Sequence, residues 1–234
     1  MIARRIYKAV GVVPDAKGFA IRLDDKTLRT PAGAALRLPT RAVAEAIAAE
    51  WRAQEKAIDP RTMPLFGLAA TALDRVLAEG EAVIDRLVAY GETDLLCYRV
   101  ATPAELAARQ AAAYQPVLDW LAARFGAALA VTVELQGLQQ PAAALAALRA
   151  AIAGRDAFVL TALQVLAVDL GSVVLALAVV EGEASPEAAL AVSLIEETYQ
   201  NERWGVDEAA LARRRRLQED VMAAARFLAL VARA

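Results

Sequence analysis

The segment Phe19-Ala20-Ile21-Arg22-Leu23 decides the fold class, because its large apolar side chains recur at every second residue, which is the period of a β-strand. Residues 7–13 are rich in β-forming side chains, and residues 35–38 alternate again. Turn-forming residues separate these segments at positions 14–18, 24–26 and 31–33. The first forty residues are therefore predicted to form a short antiparallel sheet.

Helical periodicity begins directly after the sheet. Val43, Ile47 and Trp51 recur on one helix face behind a Thr40 N-cap, so this helix is predicted to cover the sheet. The run Pro60-Arg61-Thr62-Met63-Pro64 then interrupts the chain. Further helices are predicted over residues 65–78, 81–89, 104–125, 141–153, 157–168, 172–180, 186–204 and 207–233. The helix over 104–125 is expected to start at a capping box formed by Thr102 and Glu105 and to bend at Pro116. One strand is predicted at 129–135.

These patterns predict an α+β fold with two domains. A small N-terminal α/β domain, a short antiparallel sheet with its covering helix, is expected over residues 1–75. A larger all-helical domain is expected over residues 76–234.

The composition argues against several classes of function. The 234 residues include no histidine, which removes Ser-His-Asp and Cys-His catalysis and the commonest zinc sites. Cys97 is the single cysteine, so no internal disulfide can form. The chain has no glycine-rich phosphate-binding run, and no cofactor is expected. A formal net charge of −2 gives no reason to expect nucleic-acid binding.

Residues 157–180 are the one candidate for a membrane span. Asp169 and Gly171 interrupt this apolar stretch, and a central aspartate costs about 2.5–3.5 kcal/mol to insert. Two short buried helices are therefore predicted there, with no stable membrane insertion. The N-terminus has neither an apolar signal region nor a small-residue cleavage site, so no signal or transit peptide is expected, and the protein is expected to be soluble.

A carboxylate lies on the apolar face of a predicted helix near the end of the chain. The helix starts at a Ser185 N-cap and ends at Gly205. Its apolar stripe comprises Leu190, Leu194, Glu197, Asn201 and Trp204. An ionised Glu197 in a buried stripe costs several kcal/mol unless it is paired or hydrogen-bonded. Either Gln200 and Asn201 satisfy it, or the stripe faces a partner.

Three further charged groups have alternative interpretations. Glu196 shares a face with Tyr199 and Arg203 and could pair with Arg203. The run Arg213-Arg214-Arg215-Arg216 is either a patch for phosphate or an acidic partner, or a solvated helix face. Glu92 and Asp94 could serve acid–base chemistry or a metal, or could stabilise a turn.

Spaced motifs extend through nearly the whole chain. They are Leu23-Asp24-Asp25-Lys26 with Leu28, Thr30-Pro31 and Leu38-Pro39; Glu50-Trp51, Gln54, Ile58, Pro60, Met63-Pro64, Thr71 and Asp74; Tyr90, Thr93-Asp94-Leu95-Leu96 and Tyr98-Arg99; Gln110, Pro116 and Trp120; and Glu197, Gln200 and Trp204-Gly205. In this order they resemble the assembly chaperones that capture the α subunit of the ATP synthase F(1) sector.

The resemblance implies a non-enzymatic helper that shields free α subunit until β subunits replace it. It places the functionally important late glutamate of that family at Glu197. The expected partner-binding residues are Glu197, Glu196, Leu194, Gln200 and Trp204. No nucleic acid and no small-molecule substrate are expected. Eukaryotic members are mitochondrial, whereas this chain resembles a bacterial cytoplasmic member.

Two other classes of function remain open at the level of sequence. One is an enzyme that uses Glu92, Asp94, Glu196 and Glu197 around Mg²⁺. The other is a general binder of apolar peptides without preference for one subunit.

Overall fold

The computed structural model describes residues 4–134 and 137–232. Its strands are Val10–Asp15 (β1), Gly18–Leu23 (β2) and Lys26–Thr27 (β3). Its α-helices are Arg41–Ala53 (α1), Pro64–Thr71 (α2), Leu77–Glu92 (α3), Ala104–Phe125 (α4), Ala142–Ile152 (α5), Ala157–Leu170 (α6), Val173–Val180 (α7), Pro186–Ser193 (α8), Ile195–Trp204 (α9) and Glu208–Val231 (α10). The predicted α+β class, with a small sheet followed by a larger helical part, is confirmed.

The three strands form an antiparallel sheet in the order β1-β2-β3. The prediction of a strand at residues 35–38 is wrong, because the third strand is β3. Ala35 and Leu38 make only isolated bridges, to Arg29 and Phe19 respectively. The apolar alternation there reflects the complete burial of Leu36 and Leu38, which does not require a continuous ladder.

The β1–β2 hairpin depends on Gly18. This glycine has φ +138°, and a Cβ there would lie 2.3 Å from the carbonyl oxygen of Leu38. Because a backbone atom cannot move aside cheaply, Gly18→Ala should lower the free energy of unfolding by about 2–3 kcal/mol. Urea unfolding would measure the loss. The matched control is Gly11→Ala in β1, where a Cβ meets nothing within 4 Å; equal losses in both variants would contradict this account.

Helix α1 covers the sheet, as predicted. The Thr40 hydroxyl accepts a hydrogen bond from the Val43 amide at 3.1 Å and starts the helix. The apolar stripe of α1 packs into a core with the sheet residues and with side chains from later in the chain. This core includes Tyr7, Ile21, Leu36, Leu38, Val43, Ile47, Trp51, Met63, Leu65 and Phe227.

Two acidic residues of the spaced motifs have structural roles. The Glu50 carboxylate accepts hydrogen bonds of 2.8 Å from the amides of Leu65 and Phe66, at the N-terminus of α2. The Asp74 carboxylate accepts from the Thr30 hydroxyl and from the Ala32 amide, which fixes the turn after β3. The Glu50 carboxylate satisfies N–H groups at the start of α2 that have no partner within the helix, so this residue of the spaced motifs has a structural role.

The described chain divides into two compact units. Unit 1 comprises Met1–Gly80, Asp156–Ala162 and Arg226–Ala234, and unit 2 comprises Glu81–Arg155 and Leu163–Ala225. Within unit 2, α4 packs against α7 and α9, and α8 packs against α7 and α9. The domain boundary predicted between residues 75 and 76 stays a prediction.

A buried carboxylate organises the interior of unit 2. Asp94 accepts hydrogen bonds from the Leu96 amide at 3.0 Å, the Ser172 hydroxyl at 2.8 Å and the Val174 amide at 3.2 Å. Ser172 in turn caps α7 by accepting from the Leu175 amide. Burial nevertheless raises the pKa of Asp94 to about 6. Asp94 therefore ties the turn after α3 to the start of α7.

Several predicted helix details differ in the structure. The single helix predicted over residues 186–204 is two helices, since Leu194 has φ −102° and ψ 13° between α8 and α9. The Ser193 hydroxyl donates back to the Leu190 carbonyl at 2.9 Å, a bond that bends helices. The capping box at Thr102 does not form, because Pro103 is the N-cap of α4 and makes no side-chain cap bond.

The structure also bears on the predicted bend at Pro116 and on the predicted strand at residues 129–135. Helix α4 continues through Pro116 as a single element. The strand candidate at 129–135 is reduced to one bridge, between Thr132 and Tyr98. Its last residue, Leu135, lies outside the described residues.

Residues 157–180 form two helices, α6 and α7, with Gly171 at φ +63° in the connection. This confirms the predicted break of the apolar stretch. Within residues 4–134 and 137–232, no helix combines the length and apolarity needed to cross a bilayer.

Candidate functional site: the α9–α10 hairpin

Helix α9 and residues 208–225 of α10 form a helix–loop–helix hairpin within unit 2. Gly205 adopts φ +82° directly after α9, a conformation that favours glycine. Asp207 then caps α10, because its carboxylate accepts from the Ala210 amide at 2.7 Å. An ion pair between Glu197 and Arg213 joins the two helices.

Glu197 is only half satisfied by its surroundings. Its Oε2 accepts from the Arg213 guanidinium, whereas its Oε1 is buried and has no hydrogen-bond partner. The whole side chain is 21% exposed. The predicted stripe is therefore not sealed inside the protein. A buried carboxylate oxygen without a donor costs free energy in the folded protein.

Large apolar side chains are exposed at the closed end of the hairpin. Trp204, the last residue of α9, is 76% exposed, and Val206 and Leu211 are also exposed. We call this face the hairpin surface; it comprises Glu197, Trp204, Val206, Leu211 and Arg213 to Arg216. Clustered exposed apolar groups with charged neighbours are typical of protein-binding sites, and tryptophan is among the commonest hot-spot residues.

The other predicted site residues lie at different depths. Glu196 and Gln200 are exposed on α9, and the Gln200 amide donates to Glu196 at 3.5 Å. Leu194 is buried at the junction of α8 and α9. The stripe thus passes from a buried Leu194 through a half-buried Glu197 to an exposed Trp204, and its C-terminal half faces solvent.

A charge network holds α9 against α4. Arg109 donates to both oxygens of Glu202 at 2.8 and 2.9 Å and to Glu105 at 2.8 Å. Arg203, expected to pair with Glu196, instead donates to Glu105 at 2.6 Å, and its guanidinium carbon lies 3.5 Å from the centroid of the Tyr199 ring. Hydrogen bonds from these two arginines hold the pKa of Glu105 below its ordinary value.

Tyr114 is a buried residue of α4. Burial and the charge of Glu196 raise the pKa of Tyr114 to about 12, so the phenol is neutral at physiological pH. The network and this buried ring give α9 a fixed position, which a binding surface made of its exposed side chains requires.

The carboxylates of the alternative enzyme interpretation do not meet as a group. Asp94 is fully buried and bonded to Ser172, Leu96 and Val174, whereas Glu196 is exposed on α9. Among the described residues, no three histidine, cysteine, aspartate or glutamate side chains are placed to hold a metal ion together.

Sequence reasoning found Glu197 but missed its partner. Arg213 lies sixteen residues away, and helical periodicity relates only residues on one helix. It also missed Val206 and Leu211, which fall outside the predicted stripe. A hairpin signal was present in the short Gly205-Val206-Asp207 link between two helical patterns, and it would have placed α9 beside α10.

Comparison with known proteins agrees with this architecture. The model of the ATP12 chaperone protein family matches residues 4–122. The crystal structure of Atp12 from Paracoccus denitrificans matches with a TM-score of 0.93 and 41% sequence identity, over 98% of each chain, as does a point variant of it. An Agrobacterium tumefaciens protein described as a candidate chaperone matches with a TM-score of 0.92 and 37% identity, over 97% of this chain and 86% of that one.

Exposed apolar side chains with charged neighbours, on a mainly helical fold with a small sheet, are features of proteins that bind other proteins. The chain belongs to the ATP12 chaperone family, whose members assist ATP synthase assembly. The family match covers the first half of the chain, whereas the structural matches include the hairpin surface.

Proposed function

We propose that this chaperone captures the free α subunit of the ATP synthase F(1) sector on its hairpin surface and releases it to β subunits without catalysis. The observation that carries the proposal is the exposed Trp204 on the same helix as Glu197, whose Oε1 has no hydrogen bond. The resemblance of Glu197, Gln200 and Trp204-Gly205 to the late motif of α-subunit chaperones supports the choice of client.

The Glu197–Arg213 pair suits reversible binding. Partly exposed ion pairs contribute only about 0–1 kcal/mol, so a client can exchange this pair for its own contacts at small cost. A client donor that displaces Arg213 would give Glu197 a charge-assisted hydrogen bond in place of the ion pair. Favourable capture and easy release both follow from this arrangement.

The exposure of each predicted partner-binding residue indicates whether it would touch the client or support those that do. Trp204, Glu197, Glu196 and Gln200 would touch the client directly, since all are at least partly exposed. Leu194 would hold α9 in position from below. The proposed compartment is the cytoplasm.

Glu197→Ala and Glu197→Gln test the proposal. Both variants should fold like the wild type, because they remove a weak ion pair, yet both should weaken capture of purified α subunit about tenfold. A pull-down with a concentration series would measure the loss. The control is Glu187→Gln, an exposed carboxylate in the first turn of α8. Unchanged capture by both folded Glu197 variants would eliminate the proposed role.

Two outcomes would favour the other functions. Binding of unrelated unfolded chains as tightly as α subunit would indicate a general apolar-peptide binder. Thermal stabilisation of the chaperone by Mg²⁺ would instead indicate the carboxylate enzyme.

A further inference from the structure

We propose that Arg214, Arg215 and Arg216 bind an acidic segment of the client, beside the apolar contact made by Trp204, Val206 and Leu211. This inference rests on the proposed capture of α subunit and adds the chemistry of the surface that is captured. It concerns three side chains that neither the fold nor the Glu197–Arg213 pair uses.

The three arginines are available for a partner. Arg213 is the member of the run that pairs within the chain, with Glu197. Across the described part of the chain, the side chains of Arg214, Arg215 and Arg216 form no hydrogen bond or ion pair. Glu219 and Asp220 lie four residues beyond Arg215 and Arg216, at favourable helical spacing, yet form no ion pair with them.

The arginines adjoin the apolar part of the hairpin surface. Arg214 and Arg215 follow Leu211 by three and four residues, so they neighbour it on α10. The buried residues of α10 in unit 2 start later, at Val221 and Ala224. The first half of α10 therefore presents an exposed apolar residue flanked by guanidinium groups.

Charge complementarity indicates the partner. Arg214, Arg215 and Arg216 have no ion pair within the described chain, so carboxylates on a client can pair with them. The guanidinium group also matches carboxylates in a two-bond geometry. Nucleic acid fits less well, because the chain as a whole has a net charge of −2 and nucleic-acid affinity rests on many phosphate contacts.

The test compares pairs of substitutions at Arg215 and Arg216, which are both exposed. With purified α subunit, R215E/R216E should weaken binding about tenfold and reduce its dependence on salt. R215K/R216K keeps the charge but not the two-bond geometry, so it should lose less affinity than R215E/R216E and keep the wild-type dependence on salt. A merely structural role would alter thermal stability and leave the salt dependence unchanged.

The control variant is K17E/R41E, which changes the net charge equally at two exposed positions outside the hairpin. It should capture α subunit within about twofold of wild type. Wild-type binding by R215E/R216E, or equal loss in the control, would overturn the inference while leaving α-subunit capture intact. Displacement of α subunit by a single-stranded RNA oligonucleotide would also overturn it. No capture by the wild type would refute both this inference and the proposed function.

Discussion

Trp204→Ala should weaken capture of α subunit by roughly 30- to 150-fold, about 2–3 kcal/mol in binding free energy. The indole is 76% exposed at the end of α9, so its apolar surface is available to a partner. A central tryptophan in a protein interface contributes through its large area and through the water that it excludes. The same exposure predicts a change in unfolding free energy below about 0.5 kcal/mol.

The matched control for this substitution is Leu77→Ala. Leu77 is 69% exposed at the start of α3, outside the hairpin surface. Titration calorimetry with purified α subunit would compare both variants with wild type. Similar affinities for Trp204→Ala and Leu77→Ala would show that exposure alone does not mark the docking site, and would remove the apolar part of the proposed surface.

Asp94→Asn should abolish a pH-dependent loss of about 3 kcal/mol in the free energy of unfolding that the wild type shows. Burial raises the pKa of Asp94 from 3.8 to about 6 in the folded protein, so the folded state keeps a proton that the unfolded chain has lost. Between pH 4 and pH 6 the wild type therefore loses stability as pH rises, and each pKa unit corresponds to about 1.4 kcal/mol. The amide of the variant does not titrate, and that loss is absent.

Urea unfolding of both proteins between pH 4 and pH 7 gives the comparison. The stability of the variant relative to wild type should rise with pH across this range and then level off. Asp169, whose pKa is also raised to about 6 by burial and by the charge of Asp220, titrates in the same window. It is present in both proteins and cancels. A relative stability that falls with pH would show that the Leu96, Ser172 and Val174 donors hold Asp94 ionised.

The sequence predicted the fold class because its two periodicities are physically distinct. Alternation over residues 19–23 and the turn residues around it define the β1–β2 hairpin, and the 3.6-residue pattern of Val43, Ile47 and Trp51 defines the covering helix. Residues 35–38 were misassigned because full burial of two leucines produces the same alternation without a ladder. The break at Leu194 was missed because an apolar residue gives no local stop signal.

Only those features of the candidate site that lie on a single helix could be predicted from the sequence. The conflict between the charge of Glu197 and its apolar stripe indicated a special environment, and the structure shows a half-buried carboxylate. Its partner Arg213 and the network of Arg109 with Glu105 and Glu202 depend on contacts between helices. Spacing along the chain relates only residues of the same element, so contacts between helices could not be predicted from the sequence.

Co-expression with the α and β subunits, followed by size exclusion of the complexes, tests the central claim most directly. The account predicts a stable species of chaperone with α subunit when β is absent, and its disappearance, with free chaperone recovered, when β is present. Retention of the chaperone in a complex with both subunits, or co-elution with β alone, would contradict capture and release of the α subunit.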